Sequence, residues 1–260
     1  MGRRAADSIE STKKGFEESF QAVDLYDKQT QDEHHLIAIL NCLKLDTVRK
    51  ILDLGTGTGY LAFPIAERNP DAKVYGMDIV EAALRRNREK ANALQLRNLQ
   101  FVNYDGLQFP FKDEEFDLIV SRYALHHFPV IADTFQEIYR VLRPGGRLFI
   151  ADPAPNDLDT DRFVDAYMQM KKDGHIKFYT LHEWQQMAEA AGLMLTDHFE
   201  TWISFPRKRE TAIGFEQIMR TFDKQVICGY HVELNQDDIW ITEQVNNVMF
   251  QKDSKQDGIQ

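Results

Sequence analysis

The sequence predicts an α/β fold: a doubly wound, mostly parallel, seven-stranded sheet with an antiparallel C-terminal hairpin. Three observations predict it. Short apolar runs alternate with amphipathic helical stripes from Ile51 to Ala151, the pattern of strands joined by crossover helices. A glycine turn, Gly55-Thr56-Gly57-Thr58-Gly59, joins the first run to the next helix. Carboxylates close or follow later runs at Asp78, Asp105 and Asp152, at the carboxyl ends of strands, where open α/β sheets bind their ligands.

Residues 1–31 are polar with scattered aromatics, Phe16, Phe20 and Tyr26. They read as an arm near the mouth of the site with at most a short helix. A helical stripe follows over 32–45 (Leu36, Ile37, Ile39, Leu40, Leu43), with His34 and His35 as a solvent-facing pair. Ile51, Leu52 and Leu54 form the first strand, interrupted by Asp53. After the turn, Tyr60 to Glu67 reads as a helix, with Pro64 in its first turn, where no N–H is needed. Lys73 to Asp78 is the second strand. The helix from Val80 to Leu94 has one charged face, the solvated side of a helix covering the sheet. Leu99 to Asn103 is the third strand, leading to Tyr104-Asp105-Gly106 and the loop Leu107 to Phe111. Phe116 to Val120 is the fourth, followed by Ser121 to Phe128. A striped helix over 130–142 stops at Arg143-Pro144-Gly145-Gly146, and Arg147 to Ala151 is the fifth strand.

Beyond it, 154–178 is polar, with Asp157, Asp159 and Asp161 ahead of a helical segment around Phe163 to Met170. Thr180 and Glu183 match a capping box opening a helix to Ala191, with Gly192 as its stop. Leu193 to Phe205 reads as a strand and Arg207 to Phe222 as a helix. Tyr230 to Leu234 and Ile239 to Phe250 read as strands around Asn235 to Asp238. The last ten residues are polar and expected to fray. The chain reads as a single domain: an arm (1–31), a ligand-binding core (46–153), a lid insertion (154–178) and a C-terminal part of the sheet (179–250).

The 260 residues carry 41 acidic against 31 basic side chains, a net charge of −10. Phosphate neutralisation dominates nucleic-acid affinity, so nucleic acid is disfavoured as a partner; Arg207-Lys208-Arg209 reads as a solvated turn. No run approaches the roughly 18 apolar residues of a membrane helix, and the N-terminus has no apolar signal region. The expectation is a cytoplasmic protein. Cys42 and Cys228 match no metal or redox spacing, so no metal is expected. An oligomer is allowed but not indicated.

Glycine in a strand-to-helix turn permits φ > 0 and lets a ligand lie against the backbone, and the following helix offers unpaired N–H groups. The dinucleotide fingerprint is G-x-G-x-x-G; here the third glycine comes one residue early. Asp53 before the turn repels a pyrophosphate and suits a ligand carrying positive charge, such as a sulfonium or an ammonium. Asp78 lies 19 residues after Gly59, the spacing of an acid that accepts ribose hydroxyls from the neighbouring strand tip; capping of the following helix is the rival role.

The ordered motifs L-D-L-G-T-G-T-G, G-M-D, Y-D-G with F-P-F, F-D-L-I-V-S-R-Y-A-L-H-H-F and V-L-R-P-G-G-R-L resemble class I S-adenosylmethionine-dependent methyltransferases over about residues 46–153. L-H-H-F followed by L-R-P-G-G is most similar to the small-molecule branch that includes quinone-biosynthesis C-methyltransferases. The resemblance implies a Rossmann-like sheet, S-adenosylmethionine as cofactor and a small-molecule acceptor under the lid. Its cofactor residues would be Asp53, Gly55, Thr56, Gly57, Gly59, Asp78 and Ile79, with Asp105 and Gly106 at the adenine and Ser121 at the end of the fourth strand. His126 and His127 follow that strand and are candidate general bases, since imidazole takes up a proton near neutral pH; capping and packing are their bland alternative. Two other functions compete. One is a dehydrogenase, opposed by the glycine spacing and Asp53. The other is a non-catalytic S-adenosylmethionine-binding regulatory or partner subunit, which the same glycines and Asp78 equally allow.

Overall fold

Apolar, β-branched runs buried on both faces become the centre of the sheet. In the computed structural model, which describes residues 2–21, 32–171 and 173–254, five such runs form parallel strands: β1 (Lys50–Leu54), β2 (Lys73–Asp78), β3 (Leu99–Asn103), β4 (Phe116–Arg122) and β5 (Leu142–Ala154). Ile51 lies opposite Val74 on one side and Leu118 on the other. Two long antiparallel strands, β6 (Leu193–Lys208) and β8 (Asp238–Lys252), complete the order β3-β2-β1-β4-β5-β8-β6. That path has seven strands, and the two-residue β7 (Glu233–Leu234) pairs with β8 off it. Strand order reverses between β1 and β4, which opens a crevice beyond their carboxyl ends.

Helices cover both faces. On one, α2 (Glu33–Cys42), α3 (Ala62–Arg68) and α4 (Glu81–Ala93) pack Ile39, Ile65 and Leu84 against Ile51, Val74 and Val120. On the other, α5 (Ile131–Val141) and α7 (Leu181–Ala191) pack Phe135, Ile138 and Trp184 against Leu52, Ile119 and Ile150. The Thr180–Glu183 capping box is formed and Gly192 ends α7 in the left-handed conformation. Among the described residues no helix is long and apolar enough to cross a membrane.

Several elements differ from the sequence reading. The arm is a long helix, α1 (Gly2–Gln21); Tyr26 lies outside the described residues, as do 255–260 of the expected C-terminal fray. His35 is buried rather than solvent-facing, and its Nε2 is 2.8 Å from Asn247 Oδ1; only His34 is exposed. The helix expected from Arg207 shrinks to α8 (Phe215–Thr221), because β6 stays paired with β8 as far as Lys208 opposite Asp238. Arg207 is accordingly no solvated turn residue: it stacks 4.5 Å from the Tyr167 ring and donates to the Tyr167 carbonyl. Tyr230 follows α9 (Lys224–Cys228) instead of starting a strand, and its buried hydroxyl donates to Asp159 Oδ2 at 2.6 Å. Asp159 also accepts the N–H groups of Phe163 and Val164, which fastens the start of α6 (Phe163–Met168) in the lid.

Candidate functional site

The glycine turn is shaped by three different constraints. At Gly55 (φ +70°) a Cβ would stand 2.4 Å from Ala124 Cβ, so a bare Cα lets the tips of β1 and β4 close together. At Gly59 (φ +80°) a Cβ would strike the Phe63 ring. At Gly57 (φ +49°) a Cβ would meet nothing within 4 Å, because that Cα faces an open cleft. Gly57 is held on both sides: its N–H donates to Asp78 Oδ2 at 2.8 Å, and its carbonyl accepts from Asn87 Nδ2 at 2.8 Å.

Asp53 does not line the cleft. It lies beneath the turn, where Oδ2 accepts the Thr56 hydroxyl at 2.7 Å and the Ala62 N–H at 3.1 Å. Burial pushes its pKa up to about 7, against the pull of the Thr56 hydrogen bond. Any influence on a ligand is through the shape of the turn, since the turn covers the carboxylate. Thr56 is buried too, but touches the cleft.

Asp78 ends β2 in the cleft wall beside Ile79 and Val80. Its Oδ1 accepts the Val80 N–H at 3.0 Å just ahead of α4, and the residue also lines the cavity. Burial raises its pKa, with the Val80 and Gly57 N–H groups opposing. Asp105 turns away from the cleft. It is exposed, and Oδ1 accepts the N–H groups of Leu107 and Gln108 at 2.8 and 2.9 Å, because an Asp two residues ahead of a turn closes on its own backbone. The Tyr104 side chain and Gly106 line the cleft instead. The loop after them is pinned to the core: Phe109 donates its N–H to Glu137, and Arg140 reaches its carbonyl.

Ser121 is also behind the wall, its hydroxyl donating to the Leu54 carbonyl at 2.9 Å and so tying β4 to β1. The next two residues reach the cavity. Tyr123 adopts φ +53°, a conformation costly for a bulky side chain and concentrated at functional sites. The Arg122 guanidinium lies 3.9 Å from the Tyr60 ring and 3.8 Å from the Tyr123 ring. His35 Nδ1 accepts from Arg122 Nε at 3.5 Å and lies 3.4 Å from the Tyr123 hydroxyl, which leaves the proton on Nε2 toward Asn247 Oδ1.

The two histidines diverge. His127 lines the cleft, with the Phe16 ring edge-on at 5.0 Å and a buried Nδ1 that lacks a hydrogen-bond partner. Burial, with His126 alongside, pulls its pKa down to about 3. His126 sits behind it, ring centroids 4.1 Å apart, with Nδ1 2.6 Å from Asp152 Oδ1 and its N–H donating to Asp152 Oδ2. Burial disfavours charge on both partners, lowering the imidazole and lifting Asp152 to about 8. A third imidazole, His175, stacks 5.3 Å from His126 and bonds Asp165 at 2.9 Å.

Helix α1 roofs the cleft through Ile9, Thr12 and Phe16. Ile9 packs over Gly106, where a Cβ would be 3.0 Å away, and Thr12 over Gly174 of the lid loop. The cleft is partly open to solvent, and its cavity volume is about 110 Å³. The sequence reading placed the arm near the mouth but missed Ile9 and Thr12 of α1, and Tyr60, Tyr104, Arg122 and Tyr123, as wall residues. The spacing of Ile9, Thr12 and Phe16, three then four residues, is the signal that could have found the first two.

Comparison with known proteins follows this geometry. Residues 45–192 match the family model of a methyltransferase domain. The chain is 29% identical over 176 residues to the uncharacterized methyltransferase YcgJ of Bacillus subtilis, covering 63% of this chain and 69% of that one. It is 40% identical over 107 residues to the demethylmenaquinone methyltransferase of Thermus thermophilus, covering 41% of this chain and about half, 48%, of the relative. Among solved structures, the crystal structure of the Bacillus subtilis YcgJ protein superposes with a TM-score of 0.72 at 23% identity, covering 86% of this chain and all of that one; at that identity the likeness speaks for the fold.

Proposed function

We propose that this chain, which belongs to the methyltransferase domain family, transfers a methyl group from S-adenosylmethionine to a small-molecule acceptor. The observation that carries the reading is Gly57, a bare Cα facing an open cleft at the point where strand order reverses, with Asp78 on the next strand tip. A ligand of nucleoside size fits such a cradle, because any side chain at Gly57 would occupy its space. Asp78 would accept the ribose hydroxyls, since each carboxylate oxygen keeps a lone pair beyond its backbone bond. Ile79, Gly106 and Tyr104 would border the base, and Thr56 the turn.

When bound, the sulfonium supplies an electrophilic methyl group. The chain's task is then to hold the acceptor in line with it. Arg122, Tyr123, His127 and Phe128, after β4, would form the acceptor side, and α1 would exclude water from above. His127, kept neutral by burial that pulls its pKa down to about 3, would be a weak base and so would orient the acceptor rather than take up its proton; His126, fixed by Asp152, would support it from behind. A small acceptor is favoured by the roofed cleft, which admits no folded macromolecule to its floor.

Calorimetry with S-adenosylmethionine, S-adenosylhomocysteine and NAD tests the cofactor reading, and preference for NAD defeats it. Incubation with the low-mass and high-mass fractions of a cell extract then tests the reaction. Turnover to S-adenosylhomocysteine with the low-mass fraction is expected. Binding without turnover on either fraction would favour a regulatory or partner subunit.

A further inference from the structure

A threonine inside a helix commonly turns its hydroxyl to solvent or back to the carbonyl four residues earlier. Thr12 of α1 does neither: its hydroxyl is buried and has no hydrogen-bond partner. His127 Nδ1 is a second such atom. The two residues are 4% and 8% exposed, too buried for bulk water to satisfy them. Idle buried polar atoms call for a cause. Among the described residues that carry one, Thr12 and His127 are the two that line the cleft.

Two contacts bring them together. Phe16 follows Thr12 by four residues, on the same face of α1 and about 6 Å further along its axis. Its ring meets the His127 ring edge-on at 5.0 Å. The lid loop closes the other side of Thr12. Gly174 has φ +79°, and a Cβ there would stand 2.1 Å from Thr12 Oγ1. Only a bare Cα in the loop leaves room for the hydroxyl. One atom therefore comes from α1 and the other from the segment after β4, and both residues border one cavity.

We propose that Thr12 and His127 together hold a hydroxyl group of the acceptor, which makes α1 a specificity-determining part of the acceptor site as well as its roof. This rests on the methyl-transfer reading of the same cleft. The chemistry follows from the two atoms. Nδ1 of a neutral imidazole donates or accepts according to tautomer, and a threonine hydroxyl can do either. A ligand hydroxyl donates to one and accepts from the other, so it satisfies the pair in both tautomers. An ether can only accept, and a methyl group leaves both atoms idle. Sites that hydrogen-bond a substrate hydroxyl reject the analogue lacking it far more sharply than apolar pockets discriminate.

The test uses the full chain saturated with S-adenosylhomocysteine. Phe16, Tyr104, Tyr123 and Phe128 line the cleft, so the probes are single aromatic rings: phenol, its methyl ether anisole, and toluene. Ligand-observed NMR is expected to show phenol binding at least tenfold more tightly than either analogue. Thr12→Val keeps the shape of the side chain and removes the hydroxyl. It is expected to cut the preference below threefold and to melt no lower than the parent, since the lost hydroxyl bonds nothing in the fold. Thr12→Ser is expected to retain the preference. Should the valine disturb α1, Thr12→Ala decides by the same readout, alanine being the best helix former. Equal binding of phenol and toluene by the parent, as for a wall satisfied by water, overturns the proposal. So does anisole matching phenol, or a full preference for phenol in the valine and alanine variants. If S-adenosylhomocysteine itself does not bind, the methyl-transfer reading fails, and the probe preference is still measured on the protein alone.

Discussion

The Gly57 N–H donates to Asp78 Oδ2 at 2.8 Å, so the glycine turn after β1 is fastened to the tip of β2 by a residue that also lines the cleft. The residue proposed to bind the ribose therefore also orders the turn. Asp78→Ala is expected to weaken S-adenosylmethionine binding at least tenfold, from the loss of charge-assisted hydrogen bonds worth about 1.5–3 kcal/mol. It should also lower the melting temperature of the ligand-free protein, since Gly57 and Val80 lose their acceptor. Calorimetry and thermal denaturation of one preparation read both; an unchanged melting temperature would mean the backbone bonds contribute nothing.

The glycines separate into packing and ligand positions. Gly57→Ala costs about 1–2 kcal/mol of left-handed strain but meets no atom, so the variant should fold and bind S-adenosylmethionine at least tenfold more weakly. Gly55→Ala adds a collision with Ala124 Cβ at 2.4 Å and should be the less stable of the two. Circular-dichroism melts of the pair check the order, and the reverse order would contradict the cleft geometry.

Asp53 is expected to act through the turn. Asp53→Ala leaves the Thr56 hydroxyl and the Ala62 N–H without their acceptor, at about 1–3 kcal/mol, whereas Asp53→Asn keeps an oxygen in place and should retain most of the stability. Urea midpoints for the two variants distinguish this from a direct contact with the ligand, for which Asn and Ala would weaken affinity alike with stability unchanged.

For the histidines, burial makes His127 a weak base near neutral pH, so His127→Gln is expected to lower kcat by less than the roughly 10²–10⁴-fold of a general base, with cofactor affinity intact. His126→Gln breaks the contact with Asp152 and should lower stability as well. Steady-state kinetics with an identified acceptor test this. Normal turnover of both variants would leave positioning as the whole of catalysis.

The pH dependence of stability has a definite sign for His127. Its folded pKa, about 3, lies below the unfolded value near 6.5, so between these limits the unfolded chain holds more protons. Its contribution is complete above pH 6.5 and falls as pH drops through that window, by about 1.4 kcal/mol per unit. Relative to His127→Gln, the parent should therefore gain stability as pH rises from 4 to 6.5 and level off above. A flat difference between the two melting curves would place the imidazole in contact with solvent.

How far the sequence could be read depended on whether the cause was local. Alternating runs and stripes, the glycine turn, the Thr180–Glu183 capping box and the acid at the tip of β2 all arise from residues close in sequence, so the parallel sheet and the cradle were legible. Side-chain direction at the ends of strands was not. Asp53, Asp105 and Ser121 sit in the expected segments but bond their own turns or the neighbouring strand, because an unpaired N–H or carbonyl nearby takes the polar group before any ligand does. The helix expected from Arg207 gave way to β6, since the ladder with β8 outweighs a weak helical preference.

The sequence by itself determined the fold class and the place of the cleft. Only the tertiary structure decided which groups share that cleft. Helix α1, which ends at Gln21 well ahead of the turn, roofs it; Asp152 meets His126 across 26 residues and His35 meets Asn247 across 212. Such meetings are set by how the packed layers bury their apolar faces, and that is a property of the whole chain rather than of any segment.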